Sequence, residues 1–194
     1  VSAGIFSYMT CILPQWLDSV WRWLGWIKDT RIVMIGPTGA GKSAIFYRLL
    51  KGKFVDDLIP TNGMNAEVIP HKNYRLNFWD ISSRCLQPAD YRRSLHPAQA
   101  LIYVVDAAET CSTLEEACSE LHSALEEPQL KGVPLLVLAS KNDLSNSASL
   151  SLVSQALKLN TIEGREVNLR SCSALTGEGL TKAMDWIVKR LNSR

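Results

Sequence analysis

The octet Gly36-Pro37-Thr38-Gly39-Ala40-Gly41-Lys42-Ser43 constrains this chain more than any other stretch. It satisfies G-x-x-x-x-G-K-[ST] in full, and it sits where that pattern needs to sit. A strand candidate, Arg31 to Ile35, leads into it, and a helix candidate, Lys42 to Lys51, leads out of it. Glycines let the backbone curl so that successive N–H groups point inward at phosphate oxygens. The expected contacts run over Gly36, Thr38, Gly39, Ala40, Gly41, Lys42, Ser43 and Ala44. Lys42 places a cation between the β and γ phosphates, Ser43 offers its hydroxyl to magnesium, and the helix presents its positive end to the anion. A chance glycine-rich turn is the plain alternative. The flanking strand and helix disfavour it, so a nucleoside phosphate is the expected ligand.

The remainder of the chain repeats that strand-then-helix alternation. Further strand candidates are Tyr74 to Asp80, Ala100 to Asp106, Pro134 to Ser140 and Glu166 to Cys172, and further helix candidates are Cys111 to Glu127, Leu150 to Leu157 and Gly179 to Leu191. In the last, Leu180, Met184, Ile187, Val188 and Leu191 recur at helical spacing and predict one buried stripe. The Ser-rich run from Ser145 to Ser154 reads as a capped surface helix. Aliphatic strands alternating with helices predict an α/β fold, a mixed but mostly parallel sheet with helices on both faces. Ligands of such a sheet bind beyond the strands' carboxyl ends, here just after Ile35, Trp79, Val105, Ala139 and Cys172. The chain has 194 residues and a formal net charge of +2, which suits one domain and argues against nucleic acid as a partner. Its five cysteines form no C-x-x-C pair, so neither a disulfide framework nor a zinc site is expected and a reducing compartment is the default.

Ser140-Lys141-Asn142-Asp143, at the end of a strand candidate, lies near the form N-K-x-D. A carboxylate at Asp143 can accept both the ring N–H and the exocyclic amine of guanine, a pair that adenine does not offer. A site built on paired bonds discriminates strongly, because the wrong base leaves buried polar groups unsatisfied. Lys141 is expected to lay its aliphatic stem over the base with its ammonium in water.

With these residues in view, the sequence resembles the Arf and Arf-like small GTPases over nearly its whole length. The likeness rests on GPTGAGKS at 36–43, IPTNGMN at 59–65, WDISSR at 79–84, SKND at 140–143 and SALTGEGL at 173–180. It implies a P-loop fold binding GTP or GDP with Mg2+, the metal held by Ser43, Thr61 and Asp80. It also implies that Ser173 and Ala174 form the last guanine-contacting loop, the Ala174 N–H facing the base oxygen. EEPQLKGVPLLVLASKNDL and FVDDLIPT resemble the lysosome-associated, kinesin-recruiting branch. The departures are as informative. Where the family has D-x-x-G-Q, this chain has Asp80-Ile81-Ser82-Ser83-Arg84. Ser83 lacks the freedom with which glycine turns its N–H to the γ-phosphate. Arg84 stands at the catalytic glutamine's place, but a guanidinium has no acceptor with which to orient water. Weak hydrolysis is therefore expected. Arg84 as a built-in arginine finger is the rival, ranked lower because charge without a positioned water does half the task. Ser140 replaces the usual asparagine and Met64 the usual phenylalanine, which bears on base affinity and on switch packing.

Residues 1–28 differ from the domain assigned to 29–194. Val1 to Leu17 carries no charge, and Trp16, Trp21, Trp23 and Trp26 lie close together. Ile5, Phe6, Met9, Ile12, Leu13, Trp16, Leu17, Val20, Trp21, Leu24 and Ile27 make one apolar helical stripe with a break at Pro14. The uncharged run is short for a bilayer span of about 20 residues and holds polar residues, so an interfacial anchor is expected. A helix folded onto its own domain, or buried in a partner, is the even alternative. Gly4 does not fit a myristoylation signal, and Cys11 reads as an apolar cysteine rather than a palmitoylation site. Val1 in place of Met fits a removed initiator or a cleaved targeting peptide. The reading is a membrane-associated switch at the cytoplasmic face of an intracellular membrane, contacting effector or scaffold proteins through its switch regions. The alternative is a pseudo-GTPase, nucleotide-locked or nucleotide-free, serving as a structural subunit of an organellar membrane complex, for example mitochondrial.

Overall fold

A computed structural model describes residues 28–55, 64–81, 95 and 97–193. The anchor expected in residues 1–27, and Thr61, Ser83 and Arg84, lie outside the described residues. The elements run β1 Lys28–Ile35, α1 Lys42–Lys51, β2 Met64–His71, β3 Tyr74–Ile81, β4 Ala100–Asp106, α2 Cys111–Leu125, β5 Leu135–Ser140, α3 Leu150–Ala156, β6 Val167–Ser171 and α4 Leu180–Asn192. Short 3-10 turns at Pro128–Leu130 and Leu159–Thr161 follow α2 and α3. The six strands lie in the order β2-β3-β1-β4-β5-β6, all neighbours parallel except the antiparallel β2–β3 pair.

Alternation along the central strands explains both layers. Val33, Ile35, Leu101, Tyr103, Val105, Leu135 and Val137 face one core, which α2 and α3 cover with Leu114, Leu121 and Val153. Ile32, Met34, Ile102, Val104, Leu136 and Leu138 face the other, covered by Ile45 and Phe46 of α1 and by Leu180, Met184, Ile187 and Val188 of α4. A stretch of strand buried on both sides must be largely apolar, which is why Ile32 to Ile35 of β1, Ala100 to Val105 of β4 and Leu135 to Ala139 of β5 read as continuous apolar runs. Tyr103 brings a hydroxyl into this core and donates it to the Ala117 carbonyl of α2 at 2.7 Å. That bond removes the cost of burying the phenol.

One strand and two boundaries differ from expectation by more than a single residue, each for a local reason. β2, formed by Met64-Asn65-Ala66-Glu67-Val68-Ile69-Pro70-His71, is not among the strand candidates. Among the described residues it is an edge strand that pairs with β3 alone, with Glu67 and Pro70 exposed, so it shows no aliphatic run and tolerates a residue lacking N–H. β1 starts at Lys28, three residues early, because the Lys28 N–H bonds the Asn73 carbonyl at the β2–β3 turn. α2 stops at Leu125, before Pro128. The helix candidate in the Ser-rich run begins at Leu150 as expected, capped by Ser149, whose hydroxyl accepts from the Leu152 N–H. The β2–β3 turn is tied to α4 as well, by His71 Nε2 at 2.8 Å and Lys72 Nζ at 2.7 Å from Asp185 Oδ1. Hydrogen bonds from Lys72 and His71 hold that carboxyl below the usual carboxylate range. Among the described residues no helix is long and apolar enough to cross a membrane.

Candidate functional site

Because β1, β3, β4, β5 and β6 run the same way, their carboxyl ends meet at one edge of the sheet. Register sets Met34 beside Asp80, Asp106 beside Ser140 and Ala139 beside Ser171. Every described residue nominated for the site lies along this edge.

The phosphate loop leaves β1 by a path open only to glycine. At Gly36, φ is +139° and a Cβ would lie 2.1 Å from the Val104 carbonyl oxygen, so β4's backbone would collide with any side chain. Gly41 opens α1 in the left-handed conformation, with no side-chain cap and no acid in the first turn. The N–H groups of Lys42, Ser43 and Ala44 are thus presented without a side-chain competitor, as anion binding at a helix start requires. Lys42 is buried. Its Nζ spans the loop's mouth, donating to the Gly36 carbonyl at 2.6 Å and the Pro37 carbonyl at 2.8 Å. Burial pulls this ammonium below the usual lysine range, and the charges of Asp80 and Glu120 pull it back. An ammonium has three donors, and two serve the loop, leaving one for a phosphate oxygen.

Ser43 and Asp80 come together from different elements, α1 and β3. Ser43 Oγ donates to Asp80 Oδ2 at 2.7 Å, and Asp80 is fully buried. A hydroxyl and a carboxylate in contact beside a phosphate loop are the oxygen donors a hard, largely hydrated Mg2+ takes. Among the described residues no group of three or more His, Cys, Asp and Glu is assembled to hold a metal by itself. An ion at Ser43 and Asp80 therefore fits the chain only with phosphate or water completing its shell.

The half expected to meet the base is stapled to this loop. Ser140 Oγ donates to the Ala40 carbonyl at 2.5 Å, and both residues are buried. The serine at the asparagine's place thus ties the β5 loop to the phosphate loop by its own short bond. The Asn142 N–H donates to the Cys172 carbonyl at 3.1 Å and the Cys172 N–H to the Ala139 carbonyl at 2.9 Å, which sets residues 140–143 alongside 172–174. Cys172 is buried, and its thiol is pushed up to about 12 by burial and by the charge of Asp143, itself exposed at the rim. Ser173 is buried; its hydroxyl accepts the Thr176 N–H at 3.2 Å and its carbonyl the Gly177 N–H at 2.9 Å, which closes the loop carrying Ala174.

One expectation is corrected. The Lys141 ammonium is not simply in water: Nζ lies 2.5 Å from Oδ2 of Asp106, a carboxylate only 8% exposed whose Oδ1 accepts the Ala108 N–H. A nearly buried carboxylate within reach outcompetes solvent for the lysine. Asp106 is a site residue that sequence reasoning misses, although an Asp ending a buried strand at the ligand edge is a readable signal.

Fold and site together define a P-loop nucleotide-binding protein with the small-GTPase sheet. The model of the ADP-ribosylation factor family matches residues 17–191, so the chain belongs to that family of GTP-binding switch proteins. It is 36% identical over 167 residues to ADP-ribosylation factor K of Dictyostelium discoideum, covering 86% of this chain and 88% of that protein. It is also 36% identical over 166 residues to ADP-ribosylation factor 3 of Arabidopsis thaliana, covering 86% and 90%. The Arl6 BBS3 small GTPase of Trypanosoma brucei, solved with the nucleotide analogue GppNp, shares the fold. It has a TM-score of 0.75 at 20% identity, over 85% of this chain and 98% of that one.

Proposed function

We propose that this protein is a GTP-holding, membrane-attached switch in which hydrolysis is impaired and partners are engaged through the segments around Thr61 and Arg84. The observation that carries the nucleotide half of this reading is the contact of Ser43 with Asp80 beside the buried Lys42. In this reading the N–H groups at the start of α1 and the Lys42 ammonium bind the phosphates. Asp143, Lys141 and the Ala174 N–H orient guanine, and Ser140 keeps the two halves in register. A bound Mg2+ neutralises charge on the β and γ phosphates. Ser43, Thr61 and Asp80 are the residues that would hold it. Ser83 and Arg84 leave an attacking water without a positioned acceptor, so the GTP state persists.

Denaturing the purified protein and chromatographing the released nucleotide tests this. GTP near one equivalent is expected. GDP alone would mean a working cycle and overturn the impairment. No nucleotide would favour the second reading, a structural pseudo-GTPase subunit, for which the replaced glycine and glutamine at 83 and 84 speak.

The membrane half rests on the apolar stripe of residues 1–27, and the cytoplasmic face of an intracellular membrane is the surface proposed for it. Vesicles of phosphatidylcholine with phosphatidylserine should float the full chain and leave a variant lacking residues 1–27 at the bottom of the gradient. Equal flotation of both would remove the anchor from the proposal.

A further inference from the structure

α1 does more than start at the phosphate loop. Arg48 lies six residues after Lys42, about 9 Å further along the helix, and reaches out of it to the loop between β6 and α4. Its Nη2 donates to the Thr176 carbonyl at 2.9 Å. Its guanidinium turns its Nε–Nη2 edge to Gly177: a Cβ there would stand 2.7 Å from Nη2 and 3.0 Å from Nε, with Cζ behind them at 3.2 Å. Gly177 has φ +84°, so both the backbone turn and the close approach of the guanidinium call for glycine.

Further bonds in this loop come from within it: Ser173 N–H to the Glu178 carbonyl, Gly177 N–H to the Ser173 carbonyl, Thr176 N–H to Ser173 Oγ and Glu178 N–H to Thr176 Oγ1. They fix the loop's shape. Arg48 fixes its place relative to the helix that holds the phosphates.

We infer that Arg48 is a positioning residue for the base. By clamping Thr176 and Gly177 it sets the distance between the Ala174 N–H and the phosphate-binding start of α1, so that one rigid helix gauges the ligand from base oxygen to phosphate. The inference rests on the reading of Ala174 as the group that meets the base oxygen. A planar fork of donors suits this task, since Nη2 bonds the carbonyl while the same rigid edge lies against the glycine. A misplaced N–H donor weakens a bond to the oxygen at guanine's 6-position and leaves the amine and phosphate contacts as they were.

Calorimetry on the full chain, first stripped of nucleotide, tests the inference with three ligands. GDP and IDP carry the 6-oxygen. 2-Aminopurine riboside 5′-diphosphate lacks it and keeps the 2-amine and the phosphates. Arg48→Ala should bind GDP and IDP about tenfold more weakly, the loss of one neutral hydrogen bond, with the third ligand bound as the parent protein binds it. Gly177→Ala pushes the guanidinium off from the other side. It should show the same selective loss, and should add little to that selectivity in the Arg48→Ala background. An equal loss for all three ligands would make Arg48 a general support of the fold and overturn the inference, as would no loss at all. If the parent protein itself does not distinguish GDP from the analogue, the reading of Ala174 fails first and takes the inference with it.

Discussion

Lys42→Met is expected to weaken GDP binding about thirtyfold, roughly 2 kcal/mol, the loss of one charge-assisted bond to a phosphate oxygen. The size follows from where the ammonium lies. It is buried in the loop's mouth and already satisfied in part by the Gly36 and Pro37 carbonyls, so it is held in place and gives up little water when a phosphate arrives. Methionine keeps the volume and drops the charge. The two carbonyls lose their donor, which by itself lowers the stability of the nucleotide-free protein by about 1–2 kcal/mol. Calorimetric titration separates these effects, since binding appears as the rise in Tm with added GDP and loop stability as the Tm without it. A variant that keeps the GDP affinity within tenfold would place the phosphate grip elsewhere. The start of α1 would then be an ordinary uncapped helix end.

How much of the molecule is legible in its sequence depends on whether a feature is local. The octet from Gly36 to Ser43 is local chemistry, and the structure places its glycine turn, lysine and serine at the nominated edge. β1, β4 and β5 are legible because burial on both faces leaves an unbroken aliphatic signature. β2 pairs with β3 at the edge of the described sheet, and its exposed Glu67 and Pro70 erase the signature. Pairings across the crossovers have no signature at all. Ser43 with Asp80, Lys141 with Asp106 and Arg48 with Thr176 join elements whose distance in space no periodicity encodes. The first of these is accessible through the family resemblance. The other two depend on how a side chain leaves its strand or helix, and sequence alone does not give that direction. Ser140 is the instructive middle case. Its substitution for asparagine reads as a loss, yet the shorter side chain reaches the Ala40 carbonyl because β5 ends directly beside the phosphate loop.

Restoring glycine and glutamine, Ser83→Gly with Arg84→Gln, is expected to raise single-turnover GTP hydrolysis about a hundredfold, the scale on which misplacing a reacting group costs rate. These positions follow Asp80 by three and four residues in sequence. Asp80 is itself buried against Ser43, so the end of β3 proposed to hold the metal is fixed by a contact that does not involve residue 84. The defect assigned to the natural residues is thus confined to the attacking water. Arginine brings five donors and no acceptor, whereas glutamine brings one carbonyl to take the water's proton side and one amide to face the phosphate. Phosphate release from preloaded protein, with GDP and GTP affinities measured in parallel, isolates the chemical step from binding. The rival in which Arg84 serves as an internal arginine finger gives opposite signs. In that case Arg84→Ala slows hydrolysis, and the double restoration lowers the rate or leaves it flat, because charge stabilisation by a finger is worth about a thousandfold or more. A fall in the Arg84→Ala rate would therefore sink the assignment of the defect to a mispositioned water. A rise in the doubly restored protein at unchanged nucleotide affinity would locate the lost activity at these two residues and leave the phosphate and base contacts intact.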